Sequence, residues 1–171
     1  MPQGQFPTIL AGQDITALLL QLLALPTAWK AADTPRSNSA TLAADSDLLV
    51  SMAANGNYFF AGVLFATGAT IGTGDLSVAF TWPAGAAGAW SGWGFAQQTG
   101  TATASANAAR SASGAAINFG IGTTLTPVLL AGSVQNGATA GSLQLEWAQS
   151  ISNSTATTLK ARSALFAIRT Q

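Results

Sequence analysis

Residues 75–82 read Asp75-Leu76-Ser77-Val78-Ala79-Phe80-Thr81-Trp82, with Leu76, Val78, Phe80 and Trp82 alternating against Asp75, Ser77, Ala79 and Thr81. Side chains of an extended strand point to opposite faces with period two, so this stretch is a strand with one buried face. The pattern returns in Leu143, Leu145 and Trp147 against Gln144, Glu146 and Ala148. It returns again in Ile117, Phe119 and Ile121 against Asn118 and Gly120. Half-buried strands of this kind belong to antiparallel two-layer sandwiches. Without βαβ alternation or an internal repeat, they point to an all-β antiparallel jelly-roll sandwich.

The stretch 58–65 breaks the rule. Phe59, Val63 and Phe65 lie on one face and Tyr58, Phe60 and Leu64 on the other, so both faces are apolar and both need cover. A contact between subunits is one source of the second cover, and we assign Tyr58, Phe60 and Leu64 to an oligomer interface. Cover by an N-terminal helix or a long loop is the alternative. Turn chemistry separates the strands at Asn55-Gly56, Gly72-Thr73-Gly74, Pro83 to Gly88 and Asn136-Gly137. A change of buried parity between Leu159 and Phe166 suggests a bulge or bend around Ser163. Residues 97–116 are rich in Ala, Ser, Thr and Gly with Arg110 their one charge, which reads as a surface loop or a weak edge strand.

One helix is expected. Asp14 caps a run in which Ile15, Leu18, Leu19, Leu22 and Leu23 share a helical face, and Pro26 ends it. Met1 to Leu10, with two prolines and a glycine, reads as an extended arm. The division is then an arm and helix over 1–36 and a jelly roll over 37–171. The helix packs on its own domain or docks on a neighbour; we favour docking through Ile15, Leu18, Leu19 and Leu22.

Charged residues make up 7% of the 171, six basic and six acidic, against about a quarter in typical soluble domains. This balance gives no footprint for nucleic acid or an anionic membrane, and suits contact with other protein. No Lys or Arg precedes Lys30, and the apolar run Ile15 to Leu25 is far below the roughly 20 residues of a bilayer span. The chain therefore reads as soluble and made in a cytoplasm. It has no cysteine and no histidine, which removes thiol chemistry and the commonest general base near neutral pH. No cofactor and no metal is expected.

Several blocks then resemble a module of structural proteins from phages that infect actinobacteria, among them decoration, head-fibre and minor tail proteins. They are Trp29-Lys30-Ala31-Ala32-Asp33, Asp47-Leu48-Leu49, Ala53 to Tyr58, Phe80 to Gly85, Leu145 to Gln149 and Lys160 to Leu165. The resemblance implies a jelly roll like those of tumour necrosis factor and complement globular heads, which trimerise through aromatic strands. It also implies a place on the virion surface, with the chain itself as a homotrimer and the phage's major capsid protein, or alternatively tail proteins, as partners. The compact arm makes a large tail fibre a poorer match.

A paired-carboxylate glycosidase needs no histidine and is the main enzymatic alternative. Its candidate acids are Asp14, Asp33, Asp45, Asp47, Asp75 and Glu146, each with an ordinary role as cap, turn residue or polar strand position. Asp45-Ser46-Asp47 is too poor in carboxylates for a calcium loop. Trp82, Trp90 and Trp93 would stack sugars only if exposed, and read better as packing residues. Gly92-Trp93-Gly94 and Gly120-Ile121-Gly122 lack the Lys-Ser/Thr of a phosphate loop. The expectation is a non-enzymatic capsid decoration protein on the shell exterior, with a receptor-binding tail protein as the alternative.

Overall fold

Leu76, Val78 and Phe80 do enter an interior, and Leu143, Leu145 and Trp147 meet them there from the adjacent strand. The computed structural model describes residues 26–97, 104–106 and 109–170. The helix expected from Asp14 to Pro26 lies outside these residues, apart from Pro26 itself. In chain order the strands are β1 (Thr27–Trp29), β2 (Thr34–Arg36), β3 (Ala43–Met52), β4 (Asn57–Thr67), β5 (Leu76–Thr81) and β6 (Ala87–Phe95). They continue as β7 (Ala104–Ala106), β8 (Ile117–Phe119), β9 (Thr126–Gln135), β10 (Gly141–Gln149), β11 (Thr157–Leu159) and β12 (Ala164–Arg169). Every strand pair is antiparallel.

Two sheets form. The larger runs β1-β12-β4-β9-β6-β7, with β11 beside β4 and β2 beside β11; the smaller runs β3-β10-β5-β8. From β3 to β6 and from β8 to β11, successive strands fall in opposite sheets, so the chain repeatedly crosses the sandwich. The core is the layer between the sheets. Phe80 of the small sheet stands edge-on between Phe60 and Trp90 of the large one, with ring centroids 4.9 and 5.1 Å away. Two glycines make room: a Cβ on Gly132 would stand 2.5 Å from the Phe60 ring, and one on Gly92 would stand 2.4 Å from Phe119.

This arrangement corrects the reading of β4. Tyr58, Phe60 and Leu64, expected at an oligomer contact, are buried in the chain's own core. The small sheet covers them, leaving them no surface to offer a partner. The opposite parity of β4 faces outward. The sandwich also takes in residues 27–36, assigned above to the arm, because β1 pairs with β12 and β2 with β11. Thr27-Ala28-Trp29 and Thr34-Pro35-Arg36 show no alternation of apolar with polar residues to read. The bulge or bend expected around Ser163 takes the form of a turn through Ala161 and Arg162. Arg162 has φ 72°, and the buried Ser163 hydroxyl accepts from the Phe65 amide and donates to the Lys160 carbonyl. The stretch 97–116 contributes β7, an edge strand of the large sheet.

Because Phe80 fills the centre of the layer, Phe80→Ala is expected to lower unfolding free energy by about 3–5 kcal/mol. Urea denaturation followed by tryptophan fluorescence measures it; a loss below about 1 kcal/mol would show that the centre repacks.

Candidate functional site

The outward parity of the large sheet sets the chemistry of its exposed face. Register carries one row across five strands: Trp29 beside Ala164, Ala164 beside Val63, Val63 beside Leu129, and Leu129 beside Trp93. A second row holds Thr27, Phe166, Ala61, Ala131 and Ser91. A third holds Ile168, Phe59, Ser133 and Ala89. None of these positions carries a charge. Trp29 is 61% exposed, Leu129 54%, Trp93 44% and Phe59 43%, so large apolar side chains meet solvent here in one continuous field. Isolated exposed apolar residues are ordinary; a contiguous patch marks a surface that another molecule covers.

Charge returns only at the margin. Phe65 and Leu125 share a shallow cleft with Asp33, Lys160 and Arg162. Asp33 accepts hydrogen bonds from the Lys160 ammonium and, at 2.8 Å, from the Ala161 amide, and these hold its carboxyl below the ordinary value. An apolar centre with a rim carrying both signs is the layout of a protein–protein contact.

The other candidates are scattered. Trp90 points into the core, Trp93 points out from the same strand and Trp82 is half-buried, so the three do not share a face. Glu146 sits on β10 between Ala44 and Ala79. Ile15, Leu18, Leu19, Leu22 and Asp14 lie outside the described residues. Among the described residues no group of three or more acids, histidines or cysteines is placed to hold a metal.

Sequence reasoning missed a buried ionic cluster. Lys30, just beyond β1, turns inward and places Nζ 2.8 Å from Asp45 Oδ2 and 3.5 Å from Asp47 Oδ2. Lys30 and Asp45 are 1% and 2% exposed. Trp147 Nε1 donates to Asp45 Oδ2 at 3.1 Å, and the Asp47 and Leu48 amides donate to Oδ1 at 3.0 and 3.2 Å. Burial pushes the Asp45 carboxyl up, but the bonds from Lys30 and the Asp47 amide, with the Lys30 charge, outweigh it and leave it below the ordinary value. Arg36 stacks 4.1 Å above the Trp147 ring and donates to the carbonyls of Ala43 and Ala44. Lysine is so commonly exposed that its position in a sequence gives no sign of burial.

No family model and no curated protein matches the chain. Among solved structures it is similar to that of infectious bursal disease virus Gx strain, with 11% identity and a TM-score of 0.22 over 84% of this chain and 34% of that one. The VP2 subviral particle of the same virus gives 10% identity and a TM-score of 0.22, covering 85% of this chain and 41% of that one. The chain thus spans well under half the length of these viral neighbours, and so slight a likeness carries no argument about function.

Asp75 supplies a pH test of the fold. Its buried carboxylate accepts from the amides of Gly72 and Ile121, at 3.1 and 3.0 Å, and burial outweighs those bonds to raise its pKa above 3.8. A raised folded-state pKa means that its contribution is full below the unfolded value and is lost as pH rises through the folded one. Relative to Asp75→Asn, wild-type stability is therefore expected to decline as pH rises from about 3.8 through the folded pKa. Chemical denaturation of both proteins across that range tests it; a constant difference would contradict it.

Proposed function

We propose that the protein is a structural component of a virus particle: a jelly roll that associates with its own copies through the outer face of the large sheet. Successive strands alternating between two sheets support the jelly-roll reading. The observation that carries the function is the uncharged apolar field across β1, β12, β4, β9 and β6. Further copies of the chain are the occupants we favour. The rim of Asp33, Lys160 and Arg162 offers both signs, so one copy can complement another without a net charge to overcome. The five strands run from three to eleven residues and, at about 3.3 Å per residue and about 4.8 Å between strands, present roughly 600 Å², the lower end of what each partner gives a stable interface. A homotrimer is the proposed assembly, following the resemblance to trimeric jelly rolls.

The reading extends to the particle. Ile15, Leu18, Leu19 and Leu22 would fix the trimer to the major capsid protein on the exterior of a phage shell, making this a decoration protein that stabilises by added apolar contact. At about 25 cal/mol per Å² buried, such contact resists shell expansion without catalysis. The alternative is a minor tail protein that binds a glycan or protein on the host surface.

Sedimentation of the purified full chain is expected to give a trimer. The pair Val63→Glu and Leu129→Glu, both outside the core, should give a folded monomer with an unchanged circular dichroism spectrum. A trimer that survives both substitutions would remove this face from the assembly.

In purified particles, quantitative mass spectrometry should find copies comparable in number with the shell subunit, and none when residues 1–25 are deleted. A handful of copies per particle would transfer the protein to the tail, and retained incorporation after the deletion would refute docking through the arm.

A further inference from the structure

The Lys30 cluster carries more than an ion pair requires. Its main chain is pinned on both sides, with the Lys30 amide donating to the Ser163 carbonyl at 2.8 Å and the Arg162 amide donating to the Lys30 carbonyl at 2.9 Å. The side chain is thereby aimed at a carboxyl group on β3, in the opposite sheet. Oδ1 of that carboxyl is held by two main-chain amides, Oδ2 by the Trp147 indole, and a second carboxylate, Asp47, lies within 3.5 Å of the amine. Those are the parts needed for condensation of an amine with an acid: a fixed nucleophile, donors on the oxygen that gains charge, and a group to carry the proton.

We propose that Lys30 and Asp45 condense to a side-chain amide, covalently joining the residue that follows β1 to β3 across the sandwich. The step begins with transfer of a proton along the 2.8 Å hydrogen bond from the Lys30 ammonium to Asp45 Oδ2, which gives a transient neutral pair. Lys30 Nζ then attacks Asp45 Cγ, and a C–N bond forms. Charge gathers on Oδ1, where the Asp47 and Leu48 amides receive it. Asp47 takes one of the two protons left on Nζ and delivers it to the protonated Oδ2, which leaves as water when the Cγ–Oδ2 bond breaks, while the other proton stays as the amide N–H. One ammonium and one carboxylate become one amide and one water, with no oxidant, reductant or activating co-reactant. Loss of water from an enclosed apolar site, and replacement of two buried ions by a neutral amide, favour the product. The ion pair of Lys30 and Asp45 is the state before reaction.

The product would bear on mechanics. β1 is three residues long and, among the described residues, is paired only with β12, yet the chain enters the sandwich through it. A covalent link there ties the point of entry to the small sheet. The inference stands on the cluster alone, whatever the protein assembles with.

Intact-mass spectrometry of the denatured full-length chain is the test. The expected mass is one water below that of the sequence, with a branched tryptic peptide joining Lys30 to Asp45. Lys30→Ala and Asp45→Ala should each return to the full mass of their own sequences. Denatured mass is readable whether or not these variants fold. Asp47→Asn should slow condensation on the order of 100-fold, so that the uncondensed chain accumulates. Wild-type protein at its full sequence mass would overturn the proposal. So would a water loss that persists in Lys30→Ala, which would mark ring closure of Asp45 onto its own main chain.

Discussion

A sheet has two faces, and this molecule has one other sheet with which to cover them. The large sheet is apolar on both sides along β4, where Tyr58, Phe60 and Leu64 point inward while Phe59, Val63 and Phe65 point outward. The small sheet can meet only the inner set. Most of what distinguishes the molecule depends on that imbalance, because the outer field is continued by Phe166 and Ile168 on β12, Leu129 on β9 and Trp93 on β6. Antiparallel sheets that face water normally alternate apolar with polar residues. β10 and β8 of the small sheet keep that rule, with Gln144, Glu146 and Asn118 on the outer side, and β4, β9 and β12 do not.

The rule also decided what could be read without a structure. Residues 75–82 and 143–148 were legible as strands because their polar positions name the outer face. For β4 the sequence shows two apolar faces and no sign of which is inner. The assignment of Tyr58, Phe60 and Leu64 to a subunit contact chose the inner one. A partial signal lay in the neighbouring strands: Ala131 stands beside Ala61 and Ser91 beside Ala131 on the outer side, whereas Gly132 yields space to the Phe60 ring within. That signal needs the register, which is a pairing between segments some 70 residues apart. β1, β2 and β11 were not legible because Thr27–Trp29, Thr34–Arg36 and Thr157–Leu159 show no apolar/polar alternation, and pairing with β12, β4 and one another makes them strands.

The distribution of charge inverts the usual one. A chain with twelve charged side chains buries Lys30, Asp45 and Asp75 and stacks Arg36 on Trp147, while leaving the three outward rows of the large sheet without any. Each interior charge is committed to geometry. Asp75 binds the turn before β5 to Ile121, and Asp45 gathers Lys30, Trp147 and the amides of its own strand. Burying an ion pair yields little net stability compared with apolar packing, and removing one partner is costly. Groups of this kind are informative about which arrangement is selected, since only one docking of β1 against β3 brings Lys30 to its acids.

Edge and face protection follow opposite policies in the same molecule. The edge strand β3 carries Asp45, Ser46 and Asp47, has a register shift opposite Gln144 and Glu146, and has carbonyls occupied by Arg36, all of which hinder addition of another strand. The face of the large sheet carries no such device. A sequence that guards an edge with charge and a bulge has the means to guard a face with a single Lys or Glu, at a position such as Ala61 or Ala131 where the side chain would reach solvent. None stands there, while Lys30, Asp45 and Asp75 are placed in the interior, and this absence of charge is what the proposed self-association through the face rests on.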